Sequence, residues 1–251
     1  MPEKLTISAV LIAKDESDNI AQCIGGLGFC DEIIVVDSGS SDGTVEIARD
    51  LGAKVHVETD WQGFGVQKQR ALDRATGDWV LSVDADERIP DKLREEIEAA
   101  IRDHRHAGYQ INRLSWFLGA PLRHGGWYPD RVLRLARRDK PCFLPAAVHE
   151  RLVVDGEVGR LGEPMIHYSY RTVDDVLAKL HRYALASAEA RRGDGAKGGL
   201  GAATARSLFS FLKAYILQLG LLDGRRGFVA AVFRSQETFW RYLAAGWEKS
   251  P

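Results

Sequence analysis

The sequence predicts an α/β fold: a mostly parallel sheet with helices on both faces, followed by a C-terminal helical region. Three observations carry this. Short apolar runs alternate with helix-period stretches from Thr6 to Val83, a polar cluster follows most of those runs, and from Thr172 onward only helical periodicity is found. A chain of 251 residues with 45% hydrophobic and 27% charged residues is long enough to bury a full core, as one large domain or as one domain with an appendage.

Thr6 to Ala13 is apolar throughout and reads as the first strand, and Asn19 to Leu27 has helical spacing. Glu32 to Val36 is the second strand, Thr44 to Leu51 a helix, Lys54 to Val57 the third strand, Val66 to Ala75 a helix, and Trp79 to Val83 the fourth strand. Pro90 to Arg102 is an amphipathic helix whose proline stands early, where its missing N–H is harmless. Tyr109 to Arg113 reads as a strand, and IHYSY as another. The tail gives helices at Val173 to Arg192, Ala203 to Leu222 and Gly227 to Ala245, the first two separated by a glycine-rich break from Gly193 to Gly201.

Ligands of a parallel sheet covered by helices bind beyond the carboxyl ends of its strands, so the polar residues there are the ones to read. They are Lys14-Asp15-Glu16 after the first strand, Asp37 to Thr44 after the second, and Asp84 and Asp86 after the fourth. There is no GxGxxG after the first strand and no GxxxxGK[ST] anywhere, so neither a dinucleotide fingerprint nor a Walker loop is placed to hold a phosphate group. Asp84 and Asp86, one residue apart, form a paired-carboxylate site suited to Mg2+ or Mn2+ if the chain stays extended there, and otherwise a solvated turn. Asp37 closes an apolar strand where a carboxylate can accept a hydrogen bond from a pyrimidine ring N–H. Ser41 or Asp42 can cap the helix that follows, which is compatible with a ligand role. Trp116, Phe117, Trp127 and Tyr128 form either a local core or flat faces for a sugar. Arg131 and Arg134 are placed to neutralise phosphate or to line a solvated strand face.

The formal net charge of −1 hides an asymmetry, because residues 171–251 carry 13 Lys+Arg against 7 Asp+Glu, a local +6, leaving −7 for residues 1–170. Cys23, Cys30 and Cys142 are too few and too irregular for a disulfide framework or a zinc cluster and read as reduced core thiols, which fits a reducing cytoplasm. The N-terminal apolar run is too short for a secretory signal, and no uninterrupted apolar stretch of about 18 residues occurs.

AVLIAKDE, VVDSGSSDGT and ATGDWVLSVDADE, in this order, resemble the nucleotide-binding half of the family 2 glycosyltransferases, inverting enzymes of the GT-A fold. The resemblance implies a GT-A domain over 1–170, with 1–88 binding a nucleotide-sugar and 89–170 the acceptor, followed by a helical region at 171–251. It implies that Asp37 contacts the base, that Ala13, Glu16 and Lys68 lie near the nucleotide, that Asp84 serves ribose and metal, and that Asp86 is the firmer metal ligand. Arg131 and Arg134 join the nucleotide-sugar set. Many members carry a second acid after the first in the VVDDGS loop, where this chain has Ser38.

WYPDRVLRL and VHE are similar to the branch that includes the lipopolysaccharide inner-core β-1,4-glucosyltransferases, which implies a UDP-sugar donor, glucose foremost, and a heptose acceptor. The family's base is an acid in a Glu-Asp pair; here the position offers His149-Glu150, with Asp130 the other candidate. Glu150 is favoured, because the imidazole of His149 can orient it and because Asp130 has a turn-capping reading. His149, Trp127 and Tyr128 are the expected acceptor contacts. His167 is either a third metal ligand or a hydrogen-bonded core residue. The aromatic-rich tail with its arginines suits an anionic membrane surface on the inner face of the inner membrane, or a helical cap or a self-association surface. No nucleic-acid partner is expected. A transferase to another glycan or lipid-phosphate acceptor, a Mg2+-dependent phosphohydrolase and a non-catalytic nucleotide-sugar-binding module are the alternatives.

Overall fold

The computed structural model describes residues 5–103, 105–139, 141–144, 151–193 and 198–247. In chain order it holds β1 (Ile7–Ala13), α1 (Ser17–Gly25), β2 (Glu32–Asp37), α2 (Thr44–Asp50), β3 (Lys54–Val57), α3 (Phe64–Leu72), β4 (Trp79–Ser82) and the short β5 (Glu87–Arg88). Then come α4 (Asp91–Ala100), β6 (Gly108–Phe117), β7 (Ala120–Pro121), β8 (Arg131–Arg137), β9 (Pro141–Leu144), β10 (Arg151–Val154), β11 (Val158–Arg160) and β12 (Met165–Tyr170). The helices α5 (Val173–Gly193), α6 (Leu200–Leu212) and α7 (Gly224–Gly246) close the chain.

The main sheet runs β3-β2-β1-β4-β8-β6-β12-β5. The first four strands are parallel, as the sequence predicts. From β4 outward the pairs β4–β8, β8–β6 and β12–β5 are antiparallel, so the sheet as a whole is mixed. Alternation at period two lets β1 serve both faces. Ile7, Ala9, Leu11 and Ala13 pack with Ile20 and Ile24 of α1, Ala48 of α2 and Leu93 and Ile97 of α4. Val10 packs on the other side with Ala71 and Leu72 of α3 and with Phe143 and Leu152 of the β9–β10 ribbon. A strand covered on both faces has no polar position to spare, which is why it reads as one apolar run. Cys23 lies in this core, Cys30 is half-buried, and Cys142 is exposed, so the expectation of core thiols fails for Cys142.

One acid ties the amino end of the sheet together. Glu32 accepts hydrogen bonds from the hydroxyls of Ser8 (2.6 Å) and Thr76 (2.8 Å), from the Thr76 N–H (2.6 Å) and from Lys54 Nζ (2.7 Å). Burial opposes ionisation, yet these donors, Lys54 first, hold the carboxyl down at about 2. A depressed folded-state value gives stability that is present above the unfolded value near 4.3 and is lost as pH falls toward 2. Acid unfolding of Glu32→Gln should therefore lose the stability step that the parent shows between about pH 4 and 2, measured by circular dichroism.

The chain divides into two compact units, Met1–Arg113 with Asp130–His167, and Leu114–Pro129 with Tyr168–Pro251. The second has its own core, in which Phe117, Leu122 and Tyr170 meet Val176 and Leu180 of α5 and Ala230 and Phe233 of α7. The helix expected to continue to Leu222 stops at Leu212, followed by a π turn at Lys213–Leu217 and a 3-10 turn at Gly220–Asp223. The cause is close backbone approach at the tip: a Cβ on Gly227 would stand 1.8 Å from the Gly220 carbonyl oxygen, and one on Gly220 2.7 Å from that of Ala214. Among the described residues no helix is long and apolar enough to cross a membrane.

Candidate active site

Parallel register brings Ala13 beside Asp37 at the carboxyl edge. The loops that follow β1 and β2 then lock into each other. The Ala13 carbonyl accepts the Ser38 N–H (2.9 Å), and Lys14 Nζ donates to the carbonyls of Ser38 (3.2 Å) and Gly39 (2.9 Å). Asp15, in the left-handed region at φ 51°, accepts the Ser41 N–H at 2.8 Å, and its own N–H reaches the Ser40 hydroxyl at 2.8 Å. The Glu16 N–H donates to the Thr44 hydroxyl (2.8 Å), and the Glu16 carboxylate accepts from Asn19 (2.7 Å).

Asp37 is 1% exposed. One carboxylate oxygen accepts the Gly39 and Ser40 N–H groups, both at 2.8 Å, and the other accepts the Ser40 hydroxyl. Ser38, in place of the second acid, is itself buried and accepts a hydrogen bond at 3.0 Å from Gln67, which is fully buried on α3.

The stretch after β4 is not extended. Asp84 to Glu87 is a turn closed by the Glu87 N–H on the Asp84 carbonyl (2.9 Å), while the Asp84 N–H donates to the Glu87 carboxylate (2.9 Å). The two aspartates therefore share a region through this turn and not through strand periodicity. From it runs an alternating chain of charges. Lys68 Nζ lies 2.8 Å from Asp84 Oδ1, and Arg134 Nη2 bridges Asp84 Oδ2 (2.5 Å) and Glu87 Oε1 (2.6 Å). Arg113 Nη1 stands 3.9 Å from the same Glu87 oxygen, and its Nη2 and Nε reach Asp130 Oδ2 at 2.7 and 2.8 Å.

Lys68, Glu87 and Arg134 are buried, which makes each partner's charge a requirement of the others. Burial would raise the Asp84 carboxyl, but Arg134 and Lys68 hold it well below the usual carboxylate range. Burial pushes the Glu87 carboxyl up against the pull of Arg134, and the neighbouring charge of Asp84 pushes the same way.

Beside this chain, His167 Nε2 stands 3.3 Å from Asp86 Oδ2, brought there by the antiparallel pairing of β5 with β12 that sets His167 opposite Glu87. Among the described residues no group of three or more His, Cys, Asp or Glu is arranged to hold a metal ion. A carboxylate and an imidazole side by side still fit a two-residue anchor for an ion that takes its remaining ligands from phosphate and water.

The first unit thus gathers Ala13, Glu16, Asp37, Lys68, Asp84, Asp86, Asp130, Arg134 and His167. Arg131 opens β8 with its side chain exposed. Trp127 and Tyr128 belong to the second unit, where the Trp127 ring lies 5.9 Å from Phe117 and 5.8 Å from Tyr170, with the Arg234 guanidinium 5.7 Å away. His149 and Glu150 lie outside the described residues. The sequence reading does not mark Glu87, Arg113 or Gln67. None of the three carries a local signal, since Glu87 reads as one more acid in the polar run Asp84 to Arg88.

The glycosyl transferase family 2 model matches residues 8–144. The chain is similar to an uncharacterized glycosyltransferase of Rickettsia typhi, at 31% identity over 94% of this chain and 85% of that protein. It is similar also to the lipopolysaccharide core biosynthesis glycosyltransferase LpsC of Rhizobium meliloti, at 33% identity over 75% of this chain and 73% of that protein. Among solved structures, mannosyl-3-phosphoglycerate synthase from Rubrobacter xylanophilus aligns over 76% of this chain and 75% of its own, at 21% identity and a TM-score of 0.49.

Proposed function

The chain belongs to glycosyltransferase family 2, and from that premise we propose an inverting transferase that moves a hexose, glucose foremost, from a UDP-sugar to a lipopolysaccharide core acceptor. The observation that carries the reading is the joining of the Asp37 loop, the Lys68–Asp84–Arg134–Glu87 charges and the Asp86–His167 pair along one edge of one sheet. The likeness to LpsC supports the acceptor class. Neither the phosphohydrolase nor the non-catalytic module is retained.

Asp37 has three of its roughly four acceptor positions filled by its own loop, which leaves one for a uracil ring N–H and makes the recognition rigid. Asp84, with a cation on each oxygen, holds Lys68 and Arg134 at the donor edge and is a poor metal ligand. Asp86 and His167 are the residues that would hold Mg2+ or Mn2+, whose charge offsets that of the departing diphosphate. Glu150 takes the proton of the acceptor hydroxyl, because one oxygen of Asp130 is already shared by two Arg113 N–H groups. A single displacement on the face opposite the diphosphate inverts the anomeric centre.

The test is UDP release from UDP-glucose with and without a heptose-containing core oligosaccharide. Acceptor-dependent release and a β-linked product by NMR are expected. Release that ignores the acceptor, or no turnover with any member of a UDP-sugar panel, sinks the reading.

A further inference from the structure

Over residues 203–231 the hairpin formed by α6 and α7 buries small side chains and exposes large ones. Ala203, Ala214, Gly220, Gly227, Ala230 and Ala231 are buried, whereas Leu208, Phe209, Leu212, Leu217, Leu222 and Phe228 are exposed, Leu217 to 69%. The tight glycine contacts at the tip leave no room for the leucines inside, and Leu219 is held at φ +59°, a conformation that leucine rarely adopts. A fold driven only by burial in water would place these residues the other way round.

The charge of the same segment is one-sided. Residues 200–234 contain five Lys/Arg and a single acid, Asp223. That acid is turned inward: its carboxylate accepts the N–H groups of Arg123 (3.1 Å) and His124 (2.8 Å) and pairs with the His124 ring (2.8 Å). Lys213 and Arg225 are exposed and have no ion-pair partner among the described residues. A cleft of about 310 Å3 sets two of those five, Lys213 and Arg234, beside Arg241 and one acid, Glu237. Surface that is both apolar and cationic matches one environment, the boundary between anionic headgroups and acyl chains.

We infer that the α6–α7 hairpin seats in the surface of an anionic phospholipid bilayer, with Leu217 and Leu222 at the acyl boundary and Lys213 and Arg225 at headgroup phosphates. A second copy of the chain is the poorer occupant, because a two-fold interface would set these same cations against themselves. The inference stands on the hairpin alone and does not depend on the glycosyl-transfer reading.

The full chain is sedimented with vesicles of phosphatidylglycerol and phosphatidylcholine, and with phosphatidylcholine alone, at low and high salt. Binding is expected to the anionic vesicles, weakened by salt. Lys213→Ala with Arg225→Ala should weaken it about 25-fold, about fivefold per basic residue, and Leu217→Asp with Leu222→Asp more than tenfold, all with unchanged melting curves. Absence of binding at low salt, or binding that ignores both pairs of substitutions, overturns the inference. A dimer in analytical ultracentrifugation that Leu217→Asp dissociates overturns it in favour of a self-interface.

Discussion

Asp86→Ala is expected to lower sugar transfer by about 10³-fold or more while leaving the melting curve close to that of the parent. The side chain is partly exposed and lies 3.3 Å from His167, so its removal takes away a charge and no apolar core atom. The second readout is calorimetric: Mn2+ should tighten UDP binding to the parent and do nothing for the variant. His167→Ala should fall between the two, because one carboxylate still anchors the ion. Undiminished transfer by Asp86→Ala in excess EDTA would remove the metal from the scheme and leave Lys68 and Arg134 as the sole counter-charges to the diphosphate.

Glu150→Gln should keep UDP-sugar affinity and lower kcat by about 10² to 10⁴, the range expected when a positioned base is lost. Asp130→Asn, by contrast, should act through Arg113, which loses its partner at 2.7 Å, and should depress stability along with activity. The split between the two variants decides the assignment. Normal turnover by Glu150→Gln together with a folded but inactive Asp130→Asn would move the base to Asp130.

The strands that bear the site were legible because their signals are local. β1, β2 and β4 appear as apolar runs in the sequence, and the polar residues that end them are adjacent in the chain, so Asp37, Asp84 and Asp86 could be found without any tertiary information. Glu87 and Arg113 could not. An acid in a turn reads as solvated, and Glu87 becomes buried only when β8 delivers Arg134 from 47 residues away. The extended geometry assumed for Asp84 to Asp86 failed for a similar reason, since the Glu87 carboxylate folds back on the Asp84 N–H. In the tail, the end of α6 at Leu212 depends on glycines meeting across the tip, which helical periodicity does not register.

The run Lys68, Asp84, Arg134, Glu87, Arg113, Asp130 also governs how mutational surveys of this chain should be read. Each internal member neutralises two neighbours, so deleting any one strands a charge that two others had balanced, at a cost of about 3 to 5 kcal/mol where the site is buried. An alanine scan will therefore score Arg134 and Glu87 as indispensable whether or not they ever meet a substrate. Double substitutions that remove adjacent opposite charges together separate the two cases: stability returns when the pair is absent, and activity returns with it only if neither partner touches the sugar nucleotide.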